Sequence, residues 1–160
     1  MEIVETQPKQ RPGLLTVLCV LSFIGSGFGV LNNIMAMLMS PIKKFLSPEF
    51  FEMALEEVHQ EPARKIIEQA LEIGQRTLEN IFEISLTQFL LYAASLTGAI
   101  LMFQLKKTGF YIYSIAQILL LFVPAIFVGF NLFVNIGILF ASIFTILFIA
   151  LYAINLKKMN

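Results

Sequence analysis

Long uncharged stretches dominate the pattern of hydrophobic and polar positions along the chain. Residues 14–39 contain no charged side chain, and neither do residues 84–103 or residues 109–156. A helix needs about 20 apolar residues to cross a hydrocarbon core about 30 Å thick, so the last stretch is long enough for two crossings. The pattern therefore predicts four membrane spans, at residues 14–39, 82–104, 109–130 and 135–156.

The segment between the first two spans, residues 41–80, has the pattern of amphipathic helices. Ser47-Pro48-Glu49 is typical of a helix start, with a capping hydroxyl, proline at the first position and an acid in the first turn. At 100° per residue, one arc of this helix holds Phe50, Phe51, Ala54, Leu55 and Val58. After Pro62 a second helix places on one side Ile66, Ile67, Ala70, Leu71, Gly74, Leu78 and Ile81. The sequence thus predicts an all-α membrane protein, in which a four-helix transmembrane bundle carries two amphipathic helices between spans one and two. We treat residues 1–160 as a single membrane domain.

The apolar faces of these two helices need a covering surface, because a segment of this size cannot bury them alone. The helices can pack on each other and on the ends of the spans, lie on the bilayer surface, or dock on a partner protein. The polar face of the first helix carries mainly glutamate, which counts against the bilayer, where lysine and arginine are usual. The candidate partner face comprises Phe51, Leu55, Ile67 and Leu71.

Composition agrees with a membrane protein and argues against an enzyme. The chain is 58% hydrophobic and 14% charged, with a net charge of zero, whereas soluble domains carry about 25% charged residues. A neutral chain gives no indication of nucleic-acid binding. His59 is the one histidine, Cys19 is the one cysteine, and aspartate is absent. A zinc site, a Cys-His pair or a Ser-His-Asp triad cannot be assembled from one such chain, so we expect neither an enzyme nor a cofactor.

The distribution of lysine and arginine predicts the orientation. Cytoplasmic ends are enriched in basic residues, and both termini inside would place there Lys9, Arg11, Lys106, Lys107, Lys157 and Lys158. Residues 41–80 would then lie outside, with five basic residues and eight glutamates. We expect Tyr111, Tyr113 and Tyr152 at the membrane interface, which amphipathic aromatic rings favour. The expected location is the bacterial cytoplasmic membrane.

Small residues recur at helical spacing within the spans and predict close helix packing. The predicted packing positions are Ser22, Gly25, Ser26, Gly29, Ala94, Gly98, Gly137 and Ala141. Four amide side chains can form hydrogen bonds between helices or line a path: Asn32, Asn33, Gln88 and Gln117. The spans lack internal charges, and ion-coupled transport generally relies on such charges, so a coupled transporter is not expected from one subunit.

The chain as a whole resembles small bacterial four-span membrane proteins of unassigned function. The resemblance lies in Arg11-Pro12 before the first helix, the long amphipathic insert, Lys106-Lys107-Thr108-Gly109 between spans two and three, and the Lys157-Lys158 tail. It implies no activity and no functional residue. Our leading hypothesis is a non-enzymatic interaction or accessory subunit, with the lipid bilayer and a membrane protein or a second copy as partners. The alternative is a passive channel or small transporter assembled as an oligomer.

Overall fold

The computed structural model describes residues 12–41 and 61–159, and this part of the chain is helical without any strand. Its helices are α1 (Gly13–Met39), α2 (Glu61–Glu79), α3 (Ile81–Phe103), α4 (Lys107–Val128) and α5 (Leu132–Asn155), the last followed by a 3₁₀ turn at Leu156–Lys158. Helices α1, α3, α4 and α5 are long and apolar enough to cross a membrane. The predicted number of spans is therefore confirmed, and the protein has the architecture of a multi-pass membrane protein.

One amphipathic helix, α2, precedes α3 with little interruption. The amide of Asn80 donates to the carbonyl of Arg76 at 3.2 Å, and the amide of Ile84 donates to the carbonyl of Asn80 at 2.9 Å. These i→i−4 hydrogen bonds continue the helical pattern across the turn at Asn80. The other predicted amphipathic helix, over residues 47–59, lies outside the described residues.

Helices α3 and α4 form a tight antiparallel hairpin. A Cβ atom added at Gly98 would lie 2.7 Å from the backbone nitrogen of Tyr113, and one added at Gly109 would lie 2.6 Å from that of Met102. Backbone therefore meets backbone at this contact, and only glycine leaves enough room. The connecting turn is short because Leu105 adopts a left-handed conformation, with φ at 63°.

The best-packed region lies at the end of the bundle where α1 begins and α3 and α5 end. The buried side chains there include Leu15, Leu18, Met102, Leu105 and Met159. Lys106, Lys107, Lys157 and Lys158 flank this core in the sequence, so we call this end of the molecule the basic end.

Helix α5 is the least buried of the four spans. It starts at Leu132, three residues before the predicted position, because the side-chain oxygen of Asn131 accepts a hydrogen bond from the amide of Val134 at 2.9 Å and caps the helix. Of its 24 residues, only Thr145, Tyr152 and Asn155 are buried. Most of the surface of α5 therefore faces outward from the bundle, toward the lipid.

Candidate functional site

One face of α1 carries the polar and small residues that meet the other helices. Ser22, Ser26, Gly29 and Asn33 are all buried. Their spacing of four, three and four residues places them on one side of the helix. Asn33 donates from its side-chain nitrogen to the carbonyl of Gly29 at 2.8 Å, so its amide is partly satisfied within α1.

Three hydroxyl groups meet near the basic end of this face. The oxygens of Ser22 and Tyr152 lie 2.8 Å apart, and the hydroxyl of Ser22 donates to that of Tyr113 at 3.3 Å. The two tyrosine rings pack edge to face, with centroids 5.1 Å apart. The hydrogen bonds join α1, α4 and α5, which leaves the three hydroxyls satisfied inside the bundle.

Two of the three tyrosines expected at the membrane interface point into the bundle, and their depth in the membrane stays a prediction. Tyr113 and Tyr152 are 4% and 0% exposed, whereas Tyr111 is 59% exposed. The first two rings turn inward because each hydroxyl finds a partner at Ser22. A buried tyrosine requires such a partner, which the position of the residue along the chain does not reveal.

A second polar cluster joins α1, α3 and α4. The fully buried Ser95 lies between Ser26, with 3.1 Å between the hydroxyl oxygens, and Gln117, whose side-chain nitrogen donates to Ser95 at 2.8 Å. This cluster adjoins an open volume between the helices.

That volume is a cleft between α5 and the other spans, composed of two adjoining cavities that share Tyr92, Gln117 and Thr145. We call it the midplane cleft. One cavity, of about 240 Å³, is further lined by Leu120, Leu121, Pro124, Val134, Gly137, Ile138 and Ala141. The other, of about 260 Å³, is further lined by Leu21, Ser22, Gly25, Ser26, Phe144 and Phe148. Neither lining contains a charged residue.

The polar residues of the midplane cleft lie halfway along their helices. Tyr92 is eleven positions from each end of α3, Ile81 and Phe103. Gln117 is ten positions from Lys107 and eleven from Val128. Thr145 is thirteen positions from each end of the span Leu132–Lys158. At 1.5 Å per residue, all three lie about 15–20 Å from either end of the bundle, which is the centre of a bilayer.

The predicted packing residues divide into two groups. Ser22, Ser26, Gly29 and Gly98 are buried at helix contacts, and Ala94 is half-buried. A Cβ atom at Gly29 would lie 2.7 Å from the ring of Tyr92. In contrast, Gly25, Gly137 and Ala141 are exposed at the rim of the midplane cleft, and a Cβ atom at either glycine would have no atom within 4 Å. This second group makes no close helix contact within the described residues of the chain, and its packing role stays a prediction.

Among the described residues, the four amide side chains do not line one common cavity. Gln117 lines the midplane cleft, whereas Asn32, Asn33 and Gln88 do not line either of its cavities. Asn33 is buried, Gln88 is half-buried, and Asn32 is exposed.

Helix α2 meets the spans at the end opposite the basic end. The guanidinium of Arg76 donates to the carbonyl of Val128 at 3.3 Å and to the carboxylate of Glu72 at 2.9 Å. A cavity of about 190 Å³ is lined there by Gln69, Glu72, Ile73, Arg76, Val128, Gly129, Phe130 and Asn131. Of the candidate partner face, Ile67 and Leu71 are half-buried, whereas Phe51 and Leu55 lie outside the described residues.

Tyr92 and Ser95 are the site residues that the sequence interpretation missed. A signal for Tyr92 was present, because tyrosine in spans favours the membrane interfaces and Tyr92 occupies the middle of an uncharged stretch. Such a position indicates a hydroxyl that needs a polar neighbour at bilayer depth. Ser95 carried no comparable signal, since small hydroxyl residues are common throughout helical spans.

Comparisons with protein-family models, with curated proteins and with solved structures find no match to this chain.

Proposed function

We propose that the protein is a non-enzymatic membrane subunit that works by association, and that the apolar face of α2 is its main contact surface. The observation that carries the proposal is the way α2 meets the spans. Its polar side, centred on Arg76, lies against the turn at residues 128–131. On the apolar side Ile66 and Ala70 are exposed and Ile67 and Leu71 are half-buried, so the exposed edge of this side supports contact with another protein.

The positions of residues around α2 support this separation of a polar side from an apolar side. At about 100° per residue, the residues beside the turn, Gln69, Ile73 and Arg76, cluster roughly 130° away from the centre of the apolar arc. On that arc Ile66 is 56% exposed. An apolar edge left exposed on an amphipathic helix favours contact with another protein.

The proposal includes an orientation. We place both termini in the cytoplasm and α2 on the outer side of a bacterial cytoplasmic membrane. The positive-inside rule supports this, because Lys106, Lys107, Lys157 and Lys158 all belong to the basic end. The partners are the lipid bilayer and either another membrane protein or a second copy of this chain, with no role for nucleic acid.

The test is the native mass of the protein purified from its own membrane in native nanodiscs. We expect a stoichiometric second protein, or a second copy, with the wild type. Ile67→Glu on the apolar arc should release it, whereas Gln69→Glu, which adds the same charge about 160° away around α2, should retain it. Circular dichroism checks that both variants stay helical. A bare monomer, or full retention by Ile67→Glu, would overturn the proposal.

A passive channel or small transporter formed by an oligomer is the second candidate. The uncharged polar side chains at the centre of the bilayer, Tyr92, Gln117 and Thr145, favour it, because polar groups at that depth are otherwise costly. Flux of small neutral solutes into proteoliposomes tests it. Flux at the level of protein-free liposomes would reject this second candidate and leave the first unaffected.

A further inference from the structure

We infer that the midplane cleft is a binding site for a neutral, lipid-soluble small molecule with an apolar body and a hydrogen-bonding oxygen. This inference goes beyond association and involves a different part of the molecule from α2. It rests on the depth of the cleft, on its polar groups, on the absence of charge from its lining and on the small residues at its rim.

The polar groups of the cleft are incompletely satisfied. Thr145 is 9% exposed and lines both cavities, as does Tyr92. Within residues 12–41 and 61–159, neither hydroxyl has a hydrogen-bond partner, in contrast to the hydroxyls of Ser22, Ser26 and Ser95. At the centre of a bilayer no bulk water is present to satisfy such groups, which costs free energy unless a ligand does so.

The walls of the cleft determine the rest of the ligand. Apart from the hydroxyls and Gln117, the lining is mainly leucine, isoleucine, valine, phenylalanine and proline. An apolar pocket with a few convergent polar groups is the usual form of a small-molecule site, and bundles place such sites between their helices. Because no charged side chain lines either cavity, a charged ligand would lose its hydration without compensation, so the ligand is neutral.

The rim of the cleft permits entry from the lipid. Gly25 on α1 and Gly137 on α5 are exposed, and the space beside each is open for at least 4 Å. The shared polar residues Tyr92, Gln117 and Thr145 lie about 15–20 Å from both ends of the bundle, and the cleft extends from there toward the end opposite the basic end at Pro124 and Val134. A molecule dissolved in the bilayer can therefore reach the cleft sideways, past the exposed glycines.

Equilibrium dialysis of nanodiscs with a matched pair of probes tests this inference. The probes are 7-tridecanone and tridecane, which share a flexible chain and differ by one central carbonyl group. We expect saturable binding of one ketone per chain above the level of empty nanodiscs. The ketone should bind about three- to tenfold more tightly than the alkane, the range expected for one hydrogen bond within a membrane.

Variants locate the binding. The double substitution Tyr92→Phe and Thr145→Val removes both hydroxyls with little change of shape, and it should reduce ketone binding to the level of the alkane. Gly137→Leu should narrow the cavity of about 240 Å³ and weaken saturable binding of both probes. Thr97→Val is the matched control, because the hydroxyl of Thr97 donates to the carbonyl of Ala93 on the exposed side of α3.

Three results would overturn the inference: no saturable excess over empty nanodiscs, equal binding of ketone and alkane, or ketone binding that persists in the double variant at Tyr92 and Thr145. Circular dichroism and thermal unfolding of each variant distinguish loss of the site from loss of the fold. A negative result here leaves the proposed association untouched, because none of these substitutions lies on α2.

Discussion

The hydroxyl oxygens of Tyr152 and Ser22 lie 2.8 Å apart in the interior of the bundle, and this contact connects the last span to the first. It matters because α5 buries so few of its residues. Tyr152 itself is fully buried, and its ring packs against that of Tyr113. Near the basic end, one aromatic side chain thus supplies both the packing and the polar contact that hold α5.

We predict that Tyr152→Phe lowers the free energy of unfolding by about 0.5–2 kcal/mol, the range measured for hydrogen bonds between membrane helices. Ser22→Ala should cost more, about 1–3 kcal/mol, because it leaves two buried tyrosine hydroxyls without this partner. Unfolding in bicelles measures both values. Ser142→Ala is the control, since the hydroxyl of Ser142 bonds only to the carbonyl of Leu139 within α5. If Tyr152→Phe behaved like this control, the contact would have no role in stability.

The glycines should differ in their tolerance of a methyl group. Gly98→Ala would place its Cβ 2.7 Å from the backbone nitrogen of Tyr113, and relief of that overlap must separate α3 from α4. We expect a loss of about 1–3 kcal/mol, as for other overpacked sites. Gly137→Ala meets open space and gains helix propensity, so its effect should lie between zero and about 1 kcal/mol of stabilisation. The melting temperatures in detergent give the order of stability of the two variants. Equal melting temperatures for the two variants would contradict the close approach at Gly98.

Gly98 and Gly137 also show what the sequence pattern can and cannot predict. The uncharged stretches predicted the four spans because each crossing has to satisfy its backbone within a helix and present apolar side chains to lipid. The small-residue spacing identified Gly98 and Gly137 alike, since it records only which positions share a side of one helix. Whether that side meets a neighbour depends on which helix lies beside it, and that is a property of the assembled bundle.

The candidate site was predicted less completely than the spans. Ser22, Ser26 and Gln117 were recognised as polar or small residues within apolar helices. Their partners Tyr152 and Ser95 lie on other helices, 130 and 69 positions away along the chain for Ser22 and Ser26. No periodicity within one helix carries information about contacts at such separations. For the same reason the sequence did not reveal that Tyr92, Gln117 and Thr145, which lie on separate spans, line the same cleft.

Arg76 should control how firmly α2 is held against the spans. Arg76→Gln removes the bond to the carbonyl of Val128 and the ion pair with Glu72. Because the guanidinium is about half exposed, the expected loss is at most about 1 kcal/mol. That loss corresponds to a severalfold faster amide hydrogen exchange over residues 69–76 and 128–131. Mass spectrometry of exchanged protein in nanodiscs measures it.

Arg64→Gln provides the comparison for Arg76. Arg64 forms an ion pair with Glu68 within α2, at 3.1 Å, and both side chains are about half exposed. Its replacement removes a similar pair without touching the turn. Exchange at residues 128–131 should then stay at the wild-type rate. Faster exchange there in both variants would show that Arg76 has no special role in docking α2.

The orientation predicts which positions a membrane-impermeant maleimide can reach in intact cells. Gln75→Cys lies on the exposed polar side of α2 and should be labelled from outside, whereas Lys157→Cys at the basic end should be labelled only after the membrane is opened. Native Cys19 is fully buried within α1, so the wild type supplies a low background. We expect the basic end to stay inside because moving it across the membrane would carry four lysines with it. Labelling of Lys157→Cys from outside, with protection of Gln75→Cys, would invert the topology and place α2 and its apolar face in the cytoplasm.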